Sequence, residues 1–289
     1  MKGKGGFSRH GRLLETTEDG YEIPPVGPWA EKKYSLVRFY DELFSTGMKN
    51  EWGTRVYIDL FAGPGKVRVE GSSRILWGSP LIALGVPDKF DKYFFCEKDE
   101  RNLASLQARV QRYYPDADVT YFGDCNLNIR RILGLIPQAS SSRKVLTFCF
   151  VDPFSLALDF ATIRILSDKY VDFLMLLALS MDGARNEIQY IKENNDRIDN
   201  FLDDTSWRTR WTEYSKKDAS FVRFLGREFV EKMVGLEYKG KSRETMELVR
   251  SDENRLPLYH LAFFSRHEKG YDFWNKARKY HSDQTLLDL

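Results

Sequence analysis

Tyr57-Ile58-Asp59-Leu60-Phe61-Ala62-Gly63-Pro64-Gly65 is an apolar run that turns directly into an acidic, glycine-rich segment. Glycines placed where a strand hands over to a helix let the backbone bend sharply and approach a ligand closely, because no Cβ stands in the way. The acidic residue then selects the ligand. A loop of the G-x-G-x-x-G kind aims backbone amides at a pyrophosphate, which a carboxylate inside the loop would repel. Asp59 stands just ahead of the turn and favours a cationic nucleoside ligand without phosphate. An ordinary tight turn after a strand is the plainer alternative for this stretch taken alone.

Outward from this loop the pattern is that of an α/β domain. From Trp29 to Met48 apolar residues recur at Leu36, Val37, Tyr40, Leu43 and Phe44, the spacing of a helix with one buried face. Strands are expected at Arg55 to Phe61, Lys92 to Cys96, Asp118 to Phe122, Val145 to Val151 and Asp172 to Leu179. Helical patterns fall between them at Pro80 to Val86, Asp99 to Tyr113, Asn126 to Ile136 and Phe160 to Ser167. This alternation predicts a doubly wound, mostly parallel sheet. Beyond Ser180 the pattern changes. Residues 182–235 are charged, aromatic-rich and helical in character, which predicts a helical insertion covering one edge of the site. Glu244 to Arg250 and Leu258 to Phe264, joined by a turn around Asp252 to Arg255, predict a C-terminal β-hairpin that completes seven strands, followed by a helix over Tyr271 to Tyr280. The expected organisation is a flexible basic arm over 1–28, an α/β domain over 29–181 and 236–289, and the insertion.

Acidic residues recur at the C-terminal ends of the successive strands, where open α/β sheets bind ligands. Glu97 follows Tyr93-Phe94-Phe95-Cys96 and is placed to accept hydrogen bonds from a ribose diol. It lies 32 residues after Gly65, farther than in dinucleotide folds, with the segment Lys66 to Gly78 as the surplus. Asp124, in Gly123-Asp124-Cys125-Asn126, is placed to receive an adenine amino group, and equally to cap the following helix. S-Adenosylmethionine (SAM), with an ammonium, a sulfonium and no phosphate, fits Asp59, Phe61, Gly63, Gly65, Glu97 and Asp124 as its binding set. The fourth strand ends in Val151-Asp152-Pro153-Phe154. A carboxylate followed by proline and an aromatic suits amino-group methyl transfer: Asp152 accepts from the target amine, the Pro153 turn sets the spacing, and the Phe154 ring stacks on a planar acceptor. A plain turn after a strand remains open for this motif by itself. A nicotinamide-dependent oxidoreductase is disfavoured by Asp59 and by the missing G-x-G-x-x-G.

Composition narrows the setting. The chain has 289 residues, 42% hydrophobic, with a net charge of +2 and pI near 8.3, so charge alone does not demand a nucleic-acid partner. No run approaches the ~18 apolar residues of a membrane span, and a cytoplasmic protein is expected. Cys96, Cys125 and Cys149 have neither metal-ligand spacing nor a disulfide pattern, and no metal is expected. Lys32 and Lys33 are candidates for a methionyl carboxylate or substrate phosphate, or form a solvated helix face. Arg185, after the fifth strand, is a candidate substrate contact or an ion-pair partner within the insertion. His260 and His267 read as core or edge histidines. Trp207 and Trp211 read as packing of the insertion. The basic arm from Lys2 to Arg12 makes nucleic acid a candidate partner, or is a solvated tail.

These residues together resemble the three-Cys-motif partner protein (TcmP) family over most of residues 27–281. The resemblance rests on Gly27-Pro28-Trp29 with Lys32 and Lys33, the Asp59 to Gly65 loop, Gly78-Ser79-Pro80-Leu81, Glu97, Gly123-Asp124, Asp152-Pro153-Phe154, and Phe263-Phe264-Ser265-Arg266-His267. It implies a class I SAM-dependent methyltransferase-like fold and a partner that carries the three-cysteine motif and resembles radical-SAM enzymes. Gly78-Ser79-Pro80-Leu81 is also similar to a bacterial ribosomal RNA adenine-N6 methyltransferase. Amino methyltransferases of that kind carry two prolines before the aromatic, whereas this chain has Pro153 alone, which shifts the ring relative to the carboxylate. The expected function is methyl transfer to an amino group of a nucleic-acid base or a partner-linked substrate. The alternative is a non-catalytic scaffold for the three-cysteine protein.

Overall fold

The structure is a computed structural model that describes residues 15–239, 246–250 and 257–275, except 269 and 273. In chain order it runs β1 (Glu15–Thr16), β2 (Pro25–Val26), α1 (Ala30–Met48), β3 (Thr54–Asp59), β4 (Lys66–Val69), β5 (Ile75–Trp77) and α2 (Ser79–Gly85). There follow β6 (Lys92–Cys96), α3 (Glu100–Tyr113), β7 (Val119–Phe122), α4 (Cys125–Leu135), β8 (Val145–Val151), α5 (Phe160–Leu166) and β9 (Val171–Leu177). A π-helical turn at Leu179–Gly183 leads into α6 (Glu187–Tyr190), α7 (Arg197–Leu202), α8 (Trp207–Ser215) and α9 (Phe221–Gly235), and the hairpin β10 (Met246–Arg250) and β11 (Pro257–Phe264) follows.

Seven strands form one sheet in the order β10-β11-β9-β8-β3-β6-β7. The pairings β9-β8, β8-β3, β3-β6 and β6-β7 are parallel, and β11 runs antiparallel to β9. β8 and β9 are buried at every position, as strands covered on both faces must be, and their sequences are accordingly near-continuous apolar runs. One apolar cluster joins the sheet to α4, α5 and α9 through Ile129, Ile163 and Phe229; another joins the opposite face to α1, α2 and α3 through Tyr40, Leu81 and Leu106. On that second face Phe44 and Tyr40 lie 4.8 and 5.3 Å from the Phe148 ring. The fold is thus the doubly wound, mostly parallel seven-stranded sheet that the sequence predicts.

Two segments depart from expectation. Residues 15–26, assigned from sequence to a flexible arm over 1–28, instead supply β1 and β2 of a second, four-stranded sheet of order β1-β5-β4-β2. Their anchor is electrostatic rather than apolar, which is why no periodicity marks them: Asp19 is held between Lys66 (2.8 Å) and Arg109 (2.7 Å), all three side chains buried. The Lys66 to Gly78 surplus is the β4-β5 hairpin of that sheet, turning at Gly71 with φ +73°. Residues 182–235 are helical as expected, but α9 does more than cover an edge, since Phe229 packs on Phe160 and Phe264 in the main core. Trp207 and Trp211 pack against Phe221 and Phe224 within this region. The Lys2 to Arg12 arm, the turn at 252–255 and positions 276–280 of the expected last helix lie outside the described residues. Among the described residues no helix is long and apolar enough to cross a membrane.

Candidate active site

β8, β3, β6 and β7 are neighbours in the sheet, and all four end at the same edge. Asp152, Asp59, Glu97 and Asp124 stand at or just beyond those ends; Asp152, Glu97 and Asp124 line one cleft of about 480 Å³, while Asp59 is fully buried directly before Leu60 and Phe61, which line it. That volume lies within the range of small-molecule sites. Parallel strands put these side chains there by register: Asp59 pairs with Phe95 on one side and Phe150 on the other.

Gly63 and Gly65 form the floor of the cleft with φ of +62° and +87°. A Cβ on Gly65 would meet Leu81 Cδ1 at 3.0 Å and Leu106 Cδ1 at 3.1 Å, so the residue combines left-handed backbone with close packing. The loop is tied down on both sides. The Gly78 amide donates to the Gly65 carbonyl at 2.8 Å, and Arg109 Nη1 donates to the Pro64 carbonyl at 2.6 Å. Arg109 also donates to the Glu22 carbonyl, so the strap over 17–22 is part of the loop's support. Sequence reasoning missed this link, for which a lone buried arginine on α3 gives no local signal.

Asp59 is fully buried. Its Oδ1 accepts from the Phe61 amide at 3.1 Å, while Oδ2 has no hydrogen-bond partner. Burial pushes its carboxyl up to about 7 against the nearby Ser79 hydroxyl and the hydrogen bond from the Phe61 amide, with Asp152 and Glu97 adding like-charge repulsion. Glu97 is half-buried, and its Oε1 accepts from the Asp99 amide at 2.8 Å. Asp124 caps α4, its Oδ1 accepting from the Asn126 amide at 2.9 Å, and its Oδ2 lies 3.1 Å from the exposed Lys98. Asn126 braces the opposite wall by donating to the Ala157 carbonyl at 3.0 Å and accepting from Thr162 Oγ1 at 2.8 Å.

At the fourth strand end Lys33 Nζ donates to Asp152 Oδ2 at 2.7 Å, with both side chains almost wholly buried. Burial disfavours the Lys33 ammonium, but Asp152 and the nearby Tyr34 and Tyr259 more than offset it and hold its pKa well above the usual lysine range. Lys33 therefore stays charged and serves as no general base. Pro153 is buried, while Phe154 is 73% exposed at the rim. Tyr34 and Arg197 also line the cleft.

Arg185 is exposed and does not line the cleft. Asp182, three residues earlier, is the buried charge of that segment. It accepts from Tyr190 Oη at 2.8 Å, Asn186 Nδ2 at 2.7 Å and the Leu156 amide at 2.7 Å, and so holds the 152–158 loop in place. The three cysteines are free and buried, burial pushing the Cys125 thiol up to about 12. Among the described residues no group of His, Cys, Asp or Glu is arranged to hold a metal ion. Burial pushes His260 down to about 4, and its Nδ1 is buried without a hydrogen-bond partner.

No protein-family model matches the chain, and no curated protein matches it. Among solved structures it is similar to a protein from Legionella pneumophila, at 10% identity and a TM-score of 0.49 over 87% of this chain and 91% of that one. It is similar to an O-methyltransferase from Bacillus cereus in complex with SAH, at 10% identity and a TM-score of 0.42 over 80% of each chain. A third is the O-methyltransferase TomG from Streptomyces achromogenes in complex with SAM, at 12% identity and a TM-score of 0.39 over 78% of this chain and 79% of that one. Strand order and register, rather than these likenesses, establish the fold as α/β and doubly wound.

Proposed function

We propose that this chain is a SAM-dependent methyltransferase acting on an amino group of a nucleic-acid base or of a partner-linked substrate. The observation that carries the reading is the convergence of Glu97, Asp124 and Asp152, from three strand ends, on one cleft floored by two left-handed glycines, with Asp59 buried at the end of the strand that leads into those glycines. The residues fit the cofactor. Asp59 leaves a buried carboxylate oxygen without a partner beside a loop with no room for a Cβ at Gly65, and the wall is acidic where a dinucleotide site needs anion-binding amides. When bound, SAM supplies an electrophilic methyl group on a sulfonium.

The chain's own residues do the rest. Asp59 and the Phe61 to Gly65 loop hold the charged methionyl end, Glu97 accepts from the ribose hydroxyls, and Asp124 accepts from the adenine amino group. Asp152 accepts an N–H of the acceptor and so aims the nitrogen lone pair inward, while Phe154 offers its exposed face to a planar group. Lys33 fixes the Asp152 carboxylate in position. Methyl transfer needs orientation and electrostatic support more than acid-base chemistry, which suits a site whose lysine never deprotonates.

The TcmP resemblance adds a partner, a three-cysteine protein similar to radical-SAM enzymes. A scaffold reading in which this chain only binds that protein is favoured by one contact, since Asp152 Oδ2 is already engaged by Lys33, which leaves a single carboxylate oxygen for an acceptor. Transfer of labelled methyl from SAM to RNA, DNA and the three-cysteine partner separates the two readings. Methyl incorporation that Asp152→Asn abolishes supports the enzyme; no incorporation into any of them, with a stable complex to the partner, supports the scaffold.

A further inference from the structure

The other edge of the sheet, where β3, β8 and β9 begin, holds a second cavity of about 390 Å³. β8 spans seven residues, so the two openings are about 20 Å apart along the strands. The cavity has an apolar wall of Met48, Val145 and Leu146, and an aromatic pair in Trp52 and Tyr170, whose rings lie 5.5 Å apart. Asp172, from the second position of β9, lines it and is only 4% exposed. Its Oδ1 has no hydrogen-bond partner although Lys144 and His267 also line the cavity, an expensive state for a buried carboxyl.

A neutral donor would satisfy the orphaned oxygen, but a cationic donor would also supply the counter-charge that a buried carboxylate requires. Flat aromatic walls favour a planar stem and add cation-π attraction to an ammonium near them. We propose that this cavity is a binding site for a small aromatic amine, with Asp172 receiving the ammonium and Trp52 and Tyr170 flanking the ring. Burial pushes Asp172 up to about 7, with Ser265 acting in opposition, so this carboxyl is poised to ionise when a cation arrives. The proposal is independent of the methyltransferase reading.

Phenethylamine is the probe, titrated by calorimetry near pH 7.5 into the whole protein. Binding is expected between about 10 µM and 1 mM, the range for so few heavy atoms. Asp172→Asn should weaken it by about tenfold or more, and 2-phenylethanol, which lacks the charge, should bind correspondingly more weakly than the amine. Trp52→Ala, which leaves Asp172 untouched, should weaken binding too and decides the matter where Asp172→Asn fails to fold. Saturating SAM should leave phenethylamine binding unchanged. The proposal is overturned if phenethylamine and tryptamine both fail to bind below about 10 mM, if binding is the same in the two variants as in the parent, or if SAM displaces the amine.

Discussion

Asp59→Asn should make the protein more stable and less able to bind SAM. The carboxyl is fully buried, and burial raises it from 3.8 to about 7. A group raised in the folded state contributes stability that is fully present below the unfolded pKa and lost as pH rises through the folded one. For Asp59 the loss runs from about pH 4 to about pH 7, and at about 1.4 kcal/mol per unit it amounts to roughly 4 kcal/mol at pH 8. Asparagine cannot ionise and escapes that loss. It leaves an amide where Oδ2 already lacks a partner, at a cost of about 1–2 kcal/mol, so the net gain at pH 8 is roughly 2–3 kcal/mol. Near pH 4 the variant should unfold at a slightly lower urea concentration, by the cost of its amide alone; at pH 8 it should unfold at a clearly higher one. Equal stability at pH 8, or a variant that is weaker there, would refute the assignment of Asp59 as an uncompensated buried carboxyl kept for a ligand.

Lys33→Met should cost about 3–5 kcal/mol in urea denaturation by stranding Asp152 in a buried position, and adding Asp152→Leu should recover much of that loss. Gly65→Ala should cost more than Gly63→Ala, because both have positive φ but only Gly65 also presses on Leu81 and Leu106; melting temperatures compare them. Phe154→Ala, at an exposed position, should leave the unfolding free energy within about 0.5 kcal/mol of the parent and SAM affinity unchanged while raising the KM for the acceptor. A lower kcat with unchanged KM would contradict the stacking role. Asp59 also predicts that SAM binding releases a proton and weakens as pH falls below about 7, since a bound cation favours the ionised carboxyl; calorimetry in buffers of different ionisation enthalpy measures this.

Much of this fold is written in local patterns. β6 and β8 fall at the residues where apolar runs end in acidic turns, because a strand buried on both faces must be apolar throughout and its ligand-facing end need not be. The four acidic strand ends were legible for the same reason. What local pattern does not carry is pairing between distant residues. The strap at 15–26 owes its place to Asp19 meeting Arg109 and Lys66, and the Asp152 carboxylate owes its state to Lys33 on the first helix. Neither pair leaves a mark within a window of neighbouring residues. The β4-β5 hairpin did leave one, the alternation Lys66-Val67-Arg68-Val69 before a glycine turn, which a reading for surplus length passed over. In Asp182-Gly183-Ala184-Arg185 the charge that looked ready for a substrate was the arginine, yet the aspartate is the buried one that shapes the site.

The central claim is tested most directly by calorimetric titration of the purified chain with SAM and, separately, with NAD. The account predicts saturable 1:1 binding of SAM at about micromolar affinity, lost in Asp59→Ala and kept in Asp152→Ala, with no heat from NAD. Binding of NAD, or SAM affinity that survives Asp59→Ala intact, would contradict it.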